Sequence, residues 1–493
     1  MRILLLYPPH SSLLEEGYFV HKSPPLGLAY IAAVLQEAAH EVKAIDCVIE
    51  NWKQRVWDGD YYQIGLSWEE LKGRIQRAKP DIVGISCLFS SQFQNARKTA
   101  ALVKEVDPTI KVVVGGAHPS AVPSEVMADT NFDYAVIGEG EHTMLSLIRS
   151  MEGSLKLGNV DGIAYRENET VMINPKKNFI ANLDDLPFPA RHLFPMGKYF
   201  YLTRELKIGE MYSKRVPYTE MVTSRGCPDK CVFCVIRKMY GGFWRARSPK
   251  NVVDEIQFLF EKYGIKEIHF MDDNLTLDRR RTEEICDEIL HRGIDVSWAI
   301  TGGVHVNTLS EALLRKMKRA GCYSLWLGIE SGDSYILNQL IKKGVSLEKI
   351  HEAVKCVKRV GIEANGFFVI GFPGETRKTI ENTIKFSKSL DLNDAYFSIA
   401  TPYPGTELYD QCFSKGYIKS QSLSKLKQIY ANITTEALSK EMVERFRKKA
   451  YREFKLNQVL RHPTRLLRRR ELRRNIRYLA KKMGIIASSE AMS

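Results

Sequence analysis

Three cysteines lie in one short stretch of the chain, at a spacing that suits iron–sulfur chemistry. Cys227, Cys231 and Cys234 follow the pattern C-x3-C-x2-C directly after an apolar run that ends at Val222. A loop this short can bring three thiolates around one cluster, because thiolate is the soft ligand that such clusters bind. Three protein thiolates leave one iron of a [4Fe-4S] cluster open. An open iron on a reducing cluster can bind and cleave a small molecule.

The alternatives for this triad are a zinc knuckle and a chance group of cysteines. A structural zinc site takes four ligands. The nearest candidates for a fourth ligand are distant in sequence, namely His192 upstream and His269 and Cys286 downstream. The spacing therefore favours the iron–sulfur cluster over zinc.

Length and composition predict a large α/β protein of a reducing compartment. The 493 residues allow about three domains. No apolar run reaches the ~18 residues that span a bilayer, and we interpret residues 1–9 as a first strand rather than a signal peptide. Nine cysteines, three of them in one loop, argue against a disulfide framework. We therefore expect a cytoplasmic protein.

Residues 1–155 are predicted to form a doubly wound parallel sheet, because β-rich runs alternate there with helical patterns. The predicted strands are 3–7, 41–46, 82–87, 111–115 and 134–137, and the predicted helices are 26–39, 68–78, 91–106 and 123–129. Ligands of such sheets bind at the carboxyl ends of the strands. The candidate contacts are therefore the residues at and after these ends: Ser86, Leu88, Gly115, Gly116, His118, Gly138 and Glu139.

Residues 216–440 show a second alternation of strands and helices. The predicted strands are 218–222, 267–271, 297–300, 324–328, 363–370 and 395–400. Six βα units in succession predict a partial (β/α)6 barrel with its chemistry at the carboxyl ends of the strands. Residues 156–215 are predicted to be a linker that contains a short hairpin between 161 and 173, and residues 441–493 a basic helical segment.

The cysteine spacing, with Phe233 directly before the last cysteine, resembles the signature of the radical S-adenosylmethionine enzymes. The resemblance implies that the open iron chelates the amino and carboxylate groups of S-adenosylmethionine, and that one electron splits the sulfonium to give a 5′-deoxyadenosyl radical. It also implies S-adenosylmethionine contacts at residues that follow the predicted strands. These are Phe233, Asp273, Glu330, Ser331 and Gly371, with Asp273 as the acceptor for the amino group. The alternative for each segment alone is a tight strand-to-helix turn, where Gly, Pro and Asp are common.

The order of Ser86-x-Leu88 and Gly115-Gly116 resembles the cobalamin-binding domain of methionine synthase and the mutases. Those proteins carry D-x-H-x-x-G, whose histidine ligates cobalt, but residues 46–51 here lack the histidine and the final glycine. Cobalamin-dependent radical S-adenosylmethionine enzymes commonly lack that motif too, and residues 24–28 and 115–120 resemble theirs. The resemblance implies bound cobalamin without histidine ligation. The alternatives are a flavodoxin-like sheet for another ligand and a degenerate domain.

These two resemblances imply a cobalamin-dependent radical enzyme that methylates an unactivated carbon of an apolar or lipid-like small molecule. They also imply a reducing partner such as flavodoxin or ferredoxin. Ring closure or rearrangement on the same scaffold is the alternative. A tRNA methylthiotransferase would need three N-terminal cysteines for a second cluster, and only Cys47 and Cys87 precede the triad. A cobalamin sensor would have no use for the triad. No side chain is singled out as a catalytic acid or base.

The formal net charge of the chain is +14, and residues 461–482 are strongly basic. Ten Lys or Arg and one acid surround apolar residues at helical spacing: Leu466, Leu467, Leu472, Ile476 and Leu479. A basic amphipathic helix of this kind predicts peripheral contact with the inner membrane face. Nucleic acid is disfavoured because Tyr478 is the one aromatic residue available for stacking. The alternative is a terminal helix packed on the barrel.

Overall fold

The computed structural model describes residues 1–13, 23–58, 61–205, 213–418 and 423–462. Strands and helices alternate through the first 174 residues. In chain order the elements are β1 (Arg2–Tyr7), β2 (His10–Leu13), α1 (Leu26–Glu37), β3 (Glu41–Asp46), α2 (Cys47–Glu50), β4 (Arg55–Asp58), β5 (Tyr61–Ile64), α3 (Trp68–Ala78), β6 (Ile82–Ser86), α4 (Phe93–Val106), β7 (Lys111–Gly115), α5 (Ala117–Ala121), α6 (Pro123–Met127), β8 (Tyr134–Val136), α7 (Glu141–Met151), β9 (Ile163–Glu167) and β10 (Thr170–Asn174).

The first sheet is doubly wound, as predicted. Its strand order is β10-β9-β8-β7-β6-β1-β3, and the five strands from β8 to β3 are parallel. Side chains alternate between two cores, because successive residues of a strand point to opposite faces. Ile3 and Leu5 pack with α1 and α7, whereas Leu4 and Leu6 pack with α3 and α4. Burial on both faces explains why β1 reads as a continuous apolar run.

Two features of this half differ from the sequence-based expectation. The hairpin predicted within the linker is β9–β10, and it extends the first sheet as an antiparallel edge. A small antiparallel sheet, β2-β5-β4, was not predicted at all. Its strands are four residues long, and β2 reads His-Ser-Ser-Leu. Such short, polar strands carry no alternating apolar pattern that could reveal them.

The second half begins with a helix and continues with six βα repeats. Its elements are α8 (Met196–Glu205), β11 (Tyr218–Met221), β12 (Ser224–Arg225), α9 (Ile236–Tyr240), β13 (Arg245–Ala246), α10 (Pro249–Tyr263), β14 (Glu267–Phe270), α11 (Arg279–His291), β15 (Ser297–Val304), α12 (Glu311–Arg319), β16 (Cys322–Glu330), α13 (Leu347–Arg359), β17 (Glu363–Ile370), α14 (Arg377–Ser389), β18 (Asp394–Ile399), α15 (Glu407–Ser414) and α16 (Lys440–Arg461).

The second sheet is parallel, and its order β11-β14-β15-β16-β17-β18 follows the sequence. This is the connectivity of the predicted partial barrel. Helices α10 to α14 cover one face and share one apolar core with it. Each helix from α10 to α16 begins after a Ser, Thr or Asp whose side chain accepts an amide hydrogen from the first turn. These caps end each connecting loop at a defined residue, so the loops that carry the candidate site are anchored at their helical ends.

Helix α16 covers the edge strand β18. Arg447 Nε donates to the Phe397 carbonyl oxygen at 2.8 Å, and the Phe397 amide donates to Tyr451 Oη at 3.1 Å. These contacts satisfy backbone groups that an open sheet edge would expose. The helix also packs on α14.

The predicted membrane segment, 461–482, lies outside the described residues except for Arg461 and His462. Within the described ranges, no helix is both long enough and apolar enough to cross a bilayer.

Candidate active site

The cysteine triad lies in the loop that follows β11 and β12, at the carboxyl end of the second sheet. Its three thiols are partly exposed, whereas Cys47, Cys87, Cys286, Cys322 and Cys412 are buried. Burial raises the pKa of Cys227 and of Cys231 to about 12, so metal binding would have to displace their protons. Gly226 has φ +86°, and a Cβ there would collide with the Phe243 carbonyl oxygen. Glycine is therefore required directly before the first cysteine.

The structure disfavours zinc at the triad. His269 lies within β14, where its Nε2 is 2.7 Å from Glu267 Oε1 and its ring stacks on Tyr218. Cys286 is buried in α11, and His192 lines a groove beside Phe258. Among the described residues, no three Cys, His, Asp or Glu side chains converge on a single-metal position. Each thiolate of a cluster binds a different iron, so a cluster does not require such convergence.

The Asp272–Asp273 pair after β14 divides into a structural and an accessible carboxylate. Asp272 is fully buried and accepts hydrogen bonds from the Thr223 amide and hydroxyl and from Ser224 Oγ. Asp273 Oδ2 accepts from the Gly226 amide at 2.9 Å, beside the triad. Burial raises the pKa of Asp273 to about 6. A cationic group of a ligand at this position would stabilise the carboxylate, so Asp273 remains the predicted acceptor for the amino group of a ligand.

Glu330 and Ser331 lie at the end of β16, and Glu330 has a partner that the sequence did not reveal. Its Oε1 is 2.9 Å from Lys343 Nζ, and both side chains are largely buried. Burial would lower the pKa of Lys343, but the carboxylate of Glu330 and the nearby Cys231 raise it above the ordinary value. Glu330 has φ +64°, a conformation that is rare outside glycine. Ser331 is buried, and its Oγ is 3.1 Å from Thr383 Oγ1.

The loop after β17 is held by its own glutamate. Glu375 Oε2 accepts from the amides of Gly371 and Phe372 at 2.6 and 3.0 Å. Burial raises the pKa of Glu375 to about 7. Gly371 has φ +91°, and a Cβ there would lie 2.8 Å from Val443 of α16. The ring of Phe372 is 5.9 Å from that of Phe233, which brings this loop against the cysteine loop.

The carboxyl edge of the first sheet offers an accessible surface. Ser86 and Gly115 end the neighbouring strands β6 and β7, and Leu88 is 47% exposed. Gly116 has φ +122°, and a Cβ there would lie 2.6 Å from the Cys87 carbonyl oxygen. The absence of side chains at Gly115 and Gly116 lets a flat ligand approach the backbone. The structure therefore brings these four residues together, as the sequence predicted.

His118 and Glu139, which are predicted from the sequence to contact cobalamin, are buried and have partners within the protein. His118 is buried, with Nδ1 3.0 Å from Ser90 Oγ and its ring against Phe93. Burial lowers its pKa to about 4. Both carboxylate oxygens of Glu139 are occupied by arginines of the second half. Neighbouring Gly138 is buried and donates its amide to Ser120 Oγ. Motif position alone could not distinguish these internal contacts from ligand contacts.

The cysteine loop of the second half lies close to the carboxyl edge of the first sheet. Helix α9, which follows the cysteine loop, packs on α5, which follows Gly116. A Cβ on Gly138 would lie 3.1 Å from the Met239 carbonyl oxygen of α9, and a Cβ on Gly405 would lie 2.8 Å from Ala121 of α5. The two halves of the chain therefore approach each other closely at two places, Gly138 against α9 and Gly405 against α5.

A second cluster has no visible ligands in the first half. Cys47 and Cys87 are buried in the core between the first sheet and α3 and α4. Burial raises the pKa of both thiols well above the ordinary value. The described part of the first half thus lacks the three accessible cysteines that a methylthiotransferase would need.

A surface cavity of about 430 Å³ in this half, lined by Tyr61, Trp68 and Arg97, contains none of the predicted site residues.

Comparisons with known proteins match both halves of the chain. Residues 18–148 match the B12 binding domain, and residues 221–387 match the Radical SAM superfamily. An uncharacterized methyltransferase of Pyrococcus horikoshii is 36% identical over 457 residues, which cover 92% of this chain and 93% of that protein. The cytidylyl-2-hydroxyethylphosphonate methyltransferase of Streptomyces wedmorensis is 33% identical over 453 residues, covering 85% and 82%.

The fold is also that of a solved enzyme. The radical S-adenosylmethionine methyltransferase TsrM of Kitasatospora setae, solved with cobalamin and a [4Fe-4S] cluster bound, superposes with a TM-score of 0.65. The match covers 85% of this chain and 76% of that one, at 18% sequence identity. At this identity the likeness concerns the fold, and it spans both halves.

Proposed function

The chain belongs to the cobalamin-dependent radical S-adenosylmethionine methyltransferase family, and we propose that it methylates an unactivated carbon of an apolar or lipid-like small molecule. Its cofactors are a [4Fe-4S] cluster, S-adenosylmethionine and cobalamin. The observation that supports the proposal most is the contact between α9 and α5. It sets the cysteine loop against the glycine edge of the first sheet.

Cys227, Cys231 and Cys234 would hold the cluster, and Ser86, Leu88, Gly115 and Gly116 would line the cobalamin. Together the bound groups supply a reducing electron and a carrier for the methyl group. The residues that the structure describes would position these groups relative to one another. Asp273 is available to accept hydrogen bonds from the amino group of S-adenosylmethionine. The Glu330–Lys343 pair and Ser331 lie beside the cysteine loop, and Gly371 and Phe233 form an apolar corner with Phe372.

The proposed apolar substrate class rests on a row of aromatic side chains in the second half. Leu325, Leu327 and Phe368 pack on the helices, so the alternating Trp326 and Phe367 point to the opposite, inner face. The ring centroids of Trp326 and Phe367 are 4.7 Å apart, and Tyr396 continues the row at 6.3 Å from Phe367. Trp326 and Phe367 are stacked and Tyr396 meets Phe367 edge-on, and a row of aromatic rings of this kind would suit an apolar ligand.

The deciding experiment is an anaerobic assay with the reconstituted enzyme and S-adenosylmethionine that carries an isotopically labelled methyl group. Lipid and aqueous metabolite extracts are supplied separately, because the Streptomyces relative is named for a substrate with cytidylyl and phosphonate groups. We expect a labelled product, heavier by one methylene unit, from the lipid fraction. Labelling from the aqueous fraction alone would contradict the apolar substrate class. An unlabelled product that has lost two hydrogens would indicate ring closure instead.

We further propose that the enzyme works in the cytoplasm, where flavodoxin or ferredoxin reduces its cluster. Free cysteines throughout the described ranges fit a reducing compartment. In the labelling assay the cluster can be reduced chemically with dithionite. We expect reduced flavodoxin to replace dithionite in that assay.

The C-terminal segment is proposed to bind the inner membrane face. We expect the full chain to co-sediment with anionic liposomes, whereas a chain that ends at His462 should not. Attraction of ~1 kcal/mol per basic residue should weaken at 1 M salt, where the Debye length is about 3 Å. The shortened chain retains α16 and its contacts with β18, so its S-adenosylmethionine cleavage is the control. Equal sedimentation of both chains would contradict a tail-mediated anchor.

Cobalamin should be bound without a protein imidazole on cobalt. In the D-x-H-x-x-G motif the histidine follows the aspartate by two positions, and that position here is Val48, which is buried in the core. The preceding Asp46 caps α2 and accepts a hydrogen bond from Tyr199 Oη at 2.6 Å. Electron paramagnetic resonance of the cob(II)alamin form should therefore lack superhyperfine splitting from a protein nitrogen. Such splitting, if observed, would place a histidine on cobalt after all.

A further inference from the structure

A buried charge cluster joins the cysteine loop to the first sheet. Arg225, two residues before Cys227, donates from Nη1 to Glu139 Oε1 at 2.9 Å and from Nη2 to Glu141 Oε1 at 2.6 Å. Glu139 follows β8 at the carboxyl edge of the first sheet, and Glu141 begins α7. The exposed fraction of each of the three side chains is 8% or less. The contact is thus an interior one between the two halves of the chain.

A second arginine holds Glu139 from the same hairpin. Arg245 in β13 pairs with Arg225 in β12, and its Nη1 donates to both carboxylate oxygens of Glu139, at 3.0 and 2.9 Å. The Ile180 amide donates to Glu139 Oε2 at 2.9 Å. Aromatic rings flank the guanidinium groups: Phe179 and Phe243 beside Arg245, and Tyr30 beside Arg225. Both oxygens of Glu139 are therefore committed to the hairpin and its neighbours.

Residues 223–226, which include Arg225, are also held by the second sheet. Asp272 accepts from Thr223 and Ser224, and Asp273 accepts from the Gly226 amide. Arg225 lies between these attachment points and is the residue that reaches the first half. Two carboxylates and two guanidinium groups balance in charge. A charge-assisted, multidentate contact fixes orientation more strictly than apolar packing does. Loss of one member would leave an uncompensated buried charge.

We propose that Glu139 and Glu141 are positioning residues that fix the separation between the cluster and the cobalamin. They act through Arg225 and Arg245 on the cysteine loop and do not contact cobalamin. The backbone of Gly138 adjoins α9, so a shift of the hairpin would move the cysteine loop relative to the glycine edge. This inference extends the family assignment, since it concerns the spacing between two groups that the family binds.

The test is Glu139→Gln, which keeps the shape of the side chain and removes its charge. Iron and cobalamin contents report whether both sites remain filled. Pulsed electron paramagnetic resonance measures the relaxation of cob(II)alamin that is caused by the reduced cluster, and so reports their separation without any substrate. We expect wild-type contents, a weaker and more broadly distributed relaxation enhancement, and about tenfold or more slower 5′-deoxyadenosine formation. Glu141→Gln, which removes one contact instead of several, should give the same changes to a smaller extent.

Glu255→Gln is the matched control. Glu255 is equally buried and joins Arg191 and Arg247, but it does not contact Arg225 or Glu139. Both Glu255→Gln and Glu139→Gln should lower the midpoint of thermal unfolding. In Glu255→Gln, however, the relaxation enhancement should stay at the wild-type value. Three results would overturn the proposal. The first is an unchanged relaxation enhancement in both Glu139→Gln and Glu141→Gln. The second is a change of the relaxation enhancement in Glu255→Gln as large as that in Glu139→Gln. The third is selective loss of cobalamin from Glu139→Gln, which would indicate direct contact with the cofactor.

Discussion

Cys227→Ala, Cys231→Ala and Cys234→Ala should each reduce cleavage of S-adenosylmethionine to the detection limit. All three thiols lie in one partly exposed loop beside Asp273 and Lys343. Removal of one thiolate would leave a second iron without a protein ligand, and the cluster would be lost or would no longer bind its substrate at a single iron. The measurement is 5′-deoxyadenosine formation after anaerobic reconstitution and reduction with dithionite, together with iron content.

Cys286→Ala and Cys356→Ala are the controls for that experiment. Cys286 is a buried residue of α11, and Cys356 is a partly buried residue of α13. Neither lies in the cysteine loop, so both variants should retain iron and activity near the wild-type level. Wild-type 5′-deoxyadenosine formation in any one of the three triad variants would rule out that cysteine as a cluster ligand.

Gly116→Val should release cobalamin and leave the cluster in place. At φ +122° a Cβ would lie 2.6 Å from the Cys87 carbonyl oxygen and 3.2 Å from the Leu88 amide nitrogen, so the segment from Cys87 to Leu88 at the glycine edge would have to shift. Backbone strain of about 1–3 kcal/mol at such a position, if it is borne by the cofactor-bound state, corresponds to a loss of affinity of roughly fivefold to 150-fold. The measurement is cobalamin extracted from protein purified anaerobically, compared with iron in the same sample.

Gly158→Ala is the control for Gly116→Val, because no atom lies within 4 Å of the Cβ that it would add. It should retain both cofactors. If Gly116→Val keeps wild-type cobalamin, the glycine edge is not the binding surface, and the first sheet would serve another ligand or none. Loss of iron as well as cobalamin would mean that the substitution disrupts the contact of α5 with α9.

The sequence predicted those parts of the fold that local pattern determines. The strand at 363–370 was predicted with the bounds that the structure shows, because its apolar run is closed by the glycine and proline of the following turn. From the sequence, Asp273 was preferred to Asp272 as the ligand-facing carboxylate, and in the structure Asp272 is the fully buried member of the pair. The doubly wound first sheet, which was predicted from the alternation of β-rich runs with helical patterns, is confirmed, and its strands have apolar cores on both faces.

Contacts between distant segments could not be predicted in this way. Lys343 is 13 residues from Glu330, and Arg225 is 86 residues from Glu139. A lysine in a connecting segment and a glutamate at or after the end of a strand are ordinary in sequence, and their roles depend on which element folds against them. Glu139 was therefore interpreted as a cofactor contact from its position at a strand end, while its partners come from the other half of the chain. The burial of His118 could not be predicted for a related reason, since it depends on contacts with Ser90 and Phe93.

The packing of α16 sets a limit for anyone who shortens or fuses this protein. Val443 fills the space that a side chain at Gly371 would occupy, and Arg447 and Tyr451 close the open edge of β18. Proteolytic trimming into this helix would thus loosen the loop that Glu375 holds and would expose a strand edge prone to pairing with other chains. Inactivation and aggregation would then arise together, with every cofactor-binding residue intact. A reporter or affinity tag is best joined beyond Arg461, where the described helix has ended.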